Sequence, residues 1–197
     1  RSSEMTAPRV SVIVPVRNGR RYLAEALDSV AGQAFPGVEV LVVDDGSTDG
    51  SAAVARAAGA TVLPMGRTVG VGAALRAGFA WARARGFDVI VVVAGNNKDA
   101  PEEIPRLLDP IVLGQADFVQ GSRYLAGGRT GGMPLYRRMA TRLHPLLFSM
   151  AARKWVSEST NGFRAFRTSL LDDPRIDLEQ SWLDQYELEP YLYFKVI

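Results

Sequence analysis

From residue 10 onward, short runs dense in β-branched apolar residues alternate with longer stretches whose apolar side chains recur every three or four positions. Val10, Val12, Ile13 and Val14 form a run of strand length that stops at Pro15. The polar cluster Arg17-Asn18-Gly19 follows, and helix-period apolar residues begin at Tyr22. Residues 38–43 are again mostly apolar and end on Asp44 and Asp45. The spacing then predicts an Ala-rich helix over 49–58, a short strand over 61–64 and a helix over 71–85. Residues 89–93 are uninterrupted and β-branched, the pattern of a central strand buried on both faces. Pro101 opens a helix over 101–108, with Glu102 and Glu103 in the first turn where the helix dipole favours acids. A short strand over 117–120 and a long helix over 135–154 complete the pattern. Strands alternating with helices at this spacing predict a mostly parallel α/β sheet flanked by helices.

Ligands of open parallel sheets bind outside the carboxyl ends of the strands. Arg17 and Asn18 from the first strand, and Asp44 and Asp45 from the second, therefore share one edge where a nucleotide would sit. The plainer alternative makes DDGSTDG a capped turn, with Asp45 or Ser47 bonding local backbone and Asp44 left without a role.

Composition narrows the classes. A chain of 197 residues suits one domain, and 47% hydrophobic with 22% charged residues is ordinary for a globular protein. A net charge of +2 does not argue for nucleic acid, and none is expected as a partner. With no cysteine there is no disulfide framework or thiolate metal site, which is compatible with a cytoplasmic location. No apolar run approaches the ~20 residues that span a bilayer. Residues 1–8 are polar, lack the apolar core of a signal peptide and are expected to be a ragged start outside the domain. The apolar and aromatic 191–197, YLYFKVI, reads as interrupted, so the second half is expected to be truncated at its C-terminal end.

Charge is not evenly spread. No acid occurs between Phe118 and Ser157, whereas Arg123, Arg129, Arg137, Arg138, Arg142, Arg153 and Lys154 all fall there. This is either a solvated helix face or a surface for an anionic partner: a diphosphate, a lipid phosphate or an anionic membrane. Paired glycines at 127–128 and 131–132 flank Arg129 and Thr130, the composition of a loop able to close over a ligand.

VSVIVPVRNG followed by VEVLVVDDGSTDG resembles the opening of the family 2 inverting glycosyltransferases, which have the GT-A fold. GVGAALRAGF, DFVQGSRYLAGG and TNGFRAFR resemble the branch containing dolichyl-phosphate mannosyltransferases and bacterial polyprenyl-phosphate glycosyltransferases. The resemblance covers about 9–195. It implies one GT-A-like domain over 9–197, with a nucleotide-binding half (9–121) and an acceptor-side half (122–197). It also implies transfer of a sugar from a nucleoside-diphosphate donor to polyprenyl phosphate or a related anionic acceptor, with inversion and peripheral membrane contact. Alternatives are a soluble family 2 transferase with a saccharide or small-metabolite acceptor, and a non-catalytic sugar-nucleotide binder. A nucleotidyltransferase would carry a Gly-rich phosphate loop after the first strand, where PVRNG supplies only Gly19.

By the same resemblance, Pro15, Arg17, Asp44 and Asp45 line the nucleoside pocket, and Arg123 and Arg129 meet the diphosphate. Arg164 either binds the acceptor phosphate or braces the site. Glu158 stands where relatives often carry Asp. Relatives commonly have Asp-Ala-Asp-Gly-Gln-His after the central strand, whose acids hold a divalent metal. This chain has Ala94-Gly95-Asn96-Asn97-Lys98-Asp99. Three readings follow: Asn96 and Asp99 hold Mg²⁺ or Mn²⁺ with diphosphate oxygens completing the shell, Lys98 replaces the metal charge, or the chemistry has been lost. Glu187 and Glu189, in a segment similar to a Phe/Tyr-x-x-Glu helix, are candidate bases or helix-face charges. A phosphate acceptor is already anionic and needs no strong base. His144, the single histidine, reads as packed or surface-exposed rather than as a base.

Overall fold

The computed structural model describes residues 8–33, 37–95, 99–128 and 130–197. Six strands form one sheet: β1 (Val10–Val16), β2 (Val38–Asp44), β3 (Thr61–Pro64), β4 (Val89–Val92), β5 (Phe118–Gln120) and β6 (Arg164–Arg167). Their order is β3-β2-β1-β4-β6-β5. The β1, β2, β3 and β4 pairings are parallel, and β6 runs antiparallel to both β4 and β5. The helices are α1 (Arg20–Ala31), α2 (Ser51–Ala57), α3 (Val71–Ala84), α4 (Ile104–Val112), α5 (Leu135–Ala152) and α6 (Leu188–Val196).

The alternation of side chains along β1 splits the core in two. Val10, Val12 and Val14 pack with Leu23, Leu27 and Val30 of α1, Ala55 of α2, and Leu108 and Ile111 of α4. Ile13 faces the other way, toward Ala74, Leu75 and Phe79 of α3 and Leu188 and Leu192 of α6. Gly78 permits the close seating of α3, because a Cβ there would lie 2.8 Å from Ile13 Cγ2.

The strand over 61–64 and the helix beginning at Val71 form as their patterns predict. The expected 101–108 helix is a 3-10 turn, Pro101–Glu103, followed by α4, which continues through Pro110 to Val112. The TNGFRAFR segment holds a strand that the pattern does not signal. β6 comes from the second half of the chain yet lies between β4 and β5 of the first. It inserts Phe166, fully buried and edge-on to Phe79 at 5.3 Å.

The chain builds β1, β2 and β3 outward on one side, then returns to add β4 on the other side of β1. That reversal makes the crevice beyond the carboxyl ends of β1 and β4 the place where such sheets hold ligands.

Candidate active site

The turns after β1 and β2 are clipped to each other. Asn18 adopts a left-handed conformation (φ 51°). Its N–H donates to Ser47 Oγ at 3.0 Å, and its Oδ1 accepts from the Thr48 N–H at 2.9 Å. The N–H of Gly19 donates to Ser51 Oγ at 3.0 Å. Arg17 is exposed beside this clip and Pro15 is half-buried beneath it.

Asp44 and Asp45 are both buried, and the structure reverses their expected local roles. Asp44 Oδ1 accepts from the Ser47 N–H at 2.9 Å, so Asp44 itself caps the DDGSTDG turn. Asp45 reaches across to the next loop, where its carboxylate accepts the N–H groups of Val69 at 2.7 Å and Gly70 at 3.1 Å. The carbonyl of Val69 in turn accepts from Gln185 Nε2 at 3.1 Å. A Cβ on Gly72 would fall 2.0 Å from the Leu183 carbonyl, so the 183–185 segment rests directly on the first turn of α3. Asp45 is thereby joined through one loop to the chain that leads into α6.

At the end of β4, Ala94 is half-buried and Gly95 buried, and Asp99 folds back so that its Oδ2 accepts the Ala94 N–H at 2.7 Å. Burial raises the Asp99 carboxyl above its ordinary pKa and the Ala94 N–H opposes the rise. The negative charge of Glu189 adds to it, while Arg123 and Arg164 draw it down. These four ionisable side chains thus share one field. Asn96, Asn97 and Lys98 lie outside the described residues, as does Arg129.

The acceptor-side half supplies the two arginines. Arg123 donates from Nε to Glu158 Oε2 at 2.9 Å and from Nη2 to Thr160 Oγ1 at 2.8 Å. Glu158 Oε1 also accepts the Thr160 N–H at 2.9 Å. Arg164 is buried, and its guanidinium donates to the carbonyls of Gly162, Glu189 and Asn161 and to Glu189 Oε1 at 3.0 Å. Of its two expected roles, the geometry is that of the brace: every guanidinium nitrogen already has an internal partner. The structure likewise brings Glu189 into the cluster and leaves Glu187 exposed at the start of α6. Glu187, a candidate base by the resemblance, is the residue immediately before α6, and its side chain is exposed there. His144 is exposed, bonds Ser159 Oγ at 2.8 Å and lies over the Phe148 ring.

Beside Arg123 opens a cavity of about 540 Å³, lined by Tyr124, Arg142, Leu146, Trp155 and Ser157. The sequence pattern did not reveal it. Its walls all come from the 123–157 segment, where folding brings the start, the middle and the end together, and the basic run at 123–154 is its one visible sign in the sequence. It has two cationic walls and an apolar end, and its volume is typical of a ligand pocket.

No group of three or more His, Cys, Asp or Glu side chains placed to hold a metal occurs among the described residues. Asp99 is the one carboxylate at the end of β4, and one of its oxygens already accepts a backbone N–H. A small hard cation is often held by one or two carboxylates plus substrate phosphates, so Asp99 fits as a single anchor and not as a cage. Among the described residues no helix is long and apolar enough to cross a membrane.

The chain is 38% identical over 176 residues to polyprenol monophosphomannose synthase of Mycolicibacterium smegmatis, covering 86% of this chain and 65% of that relative. It is 35% identical to undecaprenyl-phosphate mannosyltransferase of Micrococcus luteus, covering 88% and 72%. A solved structure of glucosyl-3-phosphoglycerate synthase from Mycobacterium tuberculosis, with Mn²⁺, uridine diphosphate and phosphoglyceric acid, superposes with a TM-score of 0.71 at 26% identity. That superposition covers 94% of this chain and 63% of the other, and the shared architecture is the GT-A fold. With the model of Glycosyl transferase family 2 matching residues 11–173, the chain belongs to that family.

Proposed function

We propose that this chain transfers a sugar from a nucleoside-diphosphate donor to polyprenyl phosphate, with inversion at the anomeric carbon. The observation that carries the proposal is the position of Arg123. It lines the cavity shared with Arg142 and Trp155, and it also acts on Asp99 at the end of β4. A phosphate acceptor with an apolar tail matches a pocket with cationic walls and an apolar end. The names of the M. smegmatis and M. luteus relatives support the same acceptor class.

In this reading Pro15, Arg17, Asp44 and Asp45 hold the nucleoside. The Asp45 carboxylate has lone pairs to spare beyond those engaged by Val69 and Gly70. An acceptor phosphate oxygen attacks the anomeric carbon as its bond to the diphosphate breaks on the opposite face. The acceptor is already anionic, so no side chain has to remove a proton. The demand is for positive charge on the departing nucleoside diphosphate, which Arg123, Arg129 and Lys98 supply. Asp99, with Asn96, would hold Mg²⁺ or Mn²⁺, which when bound would supply charge neutralisation for the leaving diphosphate. Glu189 and Arg164 hold the floor of the site. The reaction takes place at a membrane face, on the cytoplasmic side where nucleotide sugars are made.

A second reading, a small phosphorylated acceptor, is favoured by the M. tuberculosis neighbour, solved with phosphoglyceric acid. Calorimetric titration of GDP-, UDP- and dTDP-sugars with Mn²⁺, Mg²⁺ or EDTA identifies the donor. Transfer from that donor to polyprenyl phosphate in detergent, against phosphoglycerate in buffer, then separates the two. Absence of donor binding across the panel removes both readings.

A further inference from the structure

α5 is held to the molecule at few points, and two of them flank the Arg123–Glu158 pair. Of its residues only Pro145 and Phe148 are buried, with Phe148 stacked on Tyr193 of α6 at 5.2 Å. Its last turn is tied to Val156, whose N–H donates to Ser149 Oγ at 3.0 Å. Earlier in the helix, Thr141 Oγ1 bonds the Tyr124 hydroxyl, and His144 Nδ1 bonds Ser159 Oγ at 2.8 Å. Three residues apart, Thr141 and His144 share one face of α5. Tyr124 follows Arg123 and Ser159 follows Glu158, so each clip lands on the residue next to one member of the pair. Pro145 has no N–H to give the Thr141 carbonyl, so α5 lacks an internal bond where the clips engage.

The His144 clip reaches the pair itself. Ser159 is 4% exposed, and among the described residues its hydroxyl bonds His144 alone. A buried hydroxyl without a partner is costly, which favours the imidazole in this place. The backbone N–H of the same Ser159 donates to Glu158 Oε1 at 3.1 Å, beside the Thr160 N–H at 2.9 Å and the Thr160 hydroxyl at 2.7 Å. Fixing Ser159 therefore fixes one of three donors that orient the carboxylate, whose Oε2 receives Arg123 Nε. The imidazole lies 6.1 Å from the Phe148 ring at 28°, which limits its rotation. Nδ1 accepts from the hydroxyl in one tautomer and donates to it in the other or when protonated, so the tie needs no particular charge state.

We propose that His144 is a positioning residue for sugar transfer: through Ser159 it holds Glu158 and so aims Arg123 at the departing diphosphate. The proposal deepens the transferase reading and rests on it for the role of Arg123. His144 itself stays outside the chemistry. The same clip sets the spacing of the two arginines that line the cavity, because Arg142 stands two residues before His144 on α5 and lies 5.4 Å over the Tyr124 ring. A cation held at fixed reach from the breaking bond stabilises the transition state more than one free to wander.

The test compares His144→Phe, which keeps a ring over Phe148 and removes the hydrogen bond, with His144→Asn, which gives up the ring and keeps an amide near the Nδ1 position. Transfer is measured with the donor identified by titration and polyprenyl phosphate in detergent. His144→Phe should lower kcat about tenfold and leave the donor KM within about twofold, the split of a misaligned charge and not of a lost binding contact. His144→Asn should recover most of the loss. Ser159→Ala cuts the same clip from the other side and should match His144→Phe, and the double variant should lose no more than either. Without substrate, hydrogen exchange at the Ser159 and Thr160 amides should quicken about tenfold in His144→Phe and stay near the parent rate in His144→Asn. Unchanged kcat in His144→Phe and Ser159→Ala, additive losses, or a loss that Asn does not recover would each overturn the proposal. So would unchanged amide exchange, whether or not the chain transfers sugar. A parent chain that transfers nothing removes the transferase reading and the kinetic role of His144 with it, and the exchange result then tells failed chemistry from an absent clip.

Discussion

Arg123 and Glu158 form a pair in which the acid is buried and the base is only partly so: Nε to Oε2 is 2.9 Å, with side-chain exposures of 21% and 0%. The buried partner also accepts from the Thr160 N–H and hydroxyl, so the carboxylate is tied in place before the guanidinium reaches it. The pair is thus a fixed socket holding a cation toward the cavity.

Removing the socket should therefore loosen the cation as well as the fold. Glu158→Ala is expected to lower stability by about 2–3 kcal/mol, from lost charge-assisted hydrogen bonds. Arg123→Gln should change stability much less and reduce kcat at least about tenfold by removing charge from the leaving group. Urea denaturation and steady-state transfer assays on both variants check the division.

Arg164 is expected to behave as a structural element. Arg164 is buried and Glu189 only partly so, so Arg164→Met strands a partly buried carboxylate, at a cost of about 1–3 kcal/mol. The paired change Arg164→Met with Glu189→Gln should recover part of that loss. A double-mutant cycle by thermal denaturation measures it.

Asp99 provides a pH signature. Its folded pKa is raised above the ordinary 3.8, chiefly by burial, so the folded state holds this proton more tightly than the unfolded one. The contribution of Asp99 to stability should therefore be greatest below that value and decline as pH rises from it through the folded pKa. Asp99→Asn should remove the decline. Comparing the melting temperatures of the two proteins across acid pH tests the sign. Binding of a metal-loaded donor, which needs the carboxylate, should weaken over the same interval as pH falls.

Restoring the acids at the end of β4 should strengthen the metal. Ala94→Asp with Asn96→Asp adds two hard oxygen donors beside Asp99. It is expected to raise Mn²⁺ affinity in the presence of nucleoside diphosphate by about tenfold or more. Calorimetry of the variant and the parent chain decides the matter.

Gly72 holds the last prediction. A methyl group there would meet the carbonyls of Leu183 at 2.0 Å and Gln185 at 2.4 Å. Gly72→Ala should destabilise the fold by about 1–3 kcal/mol through overpacking. It should also weaken donor binding, since the same contact steadies the loop that Asp45 holds. Gly59→Ala, where nothing lies within 4 Å of the new atom but φ is +81°, controls for a glycine change without a clash.

The parts of this molecule legible in the sequence are those dictated by local pattern. β1, β2, β3 and β4 are runs of β-branched residues long enough to stand out, and their carboxyl ends locate the crevice. β6 escapes because Arg-Ala-Phe-Arg has charges at both ends and only two apolar positions, and its strand character comes from pairing with β4 and β5. The partners of Asp45 are similarly invisible, because Val69 and Gly70 contribute backbone N–H groups, which carry no residue signature. The choice between Glu187 and Glu189 depends on where α6 starts, and boundaries are what periodicity fixes least well.

The reversed direction of β6 has a consequence for how this architecture can vary. Gln120, where the chain leaves the sheet, pairs in register with Arg164, where it returns. Everything between them, including α5, the Gly-rich loop and most walls of the cavity, is one excursion that begins and ends at the functional edge. Such an excursion can be exchanged whole between family members without rethreading a strand or disturbing the clipped turns after β1 and β2. On the proposed transferase reading, acceptor choice sits in a replaceable cassette, set into a sheet that leaves the turns after β1 and β2 unchanged.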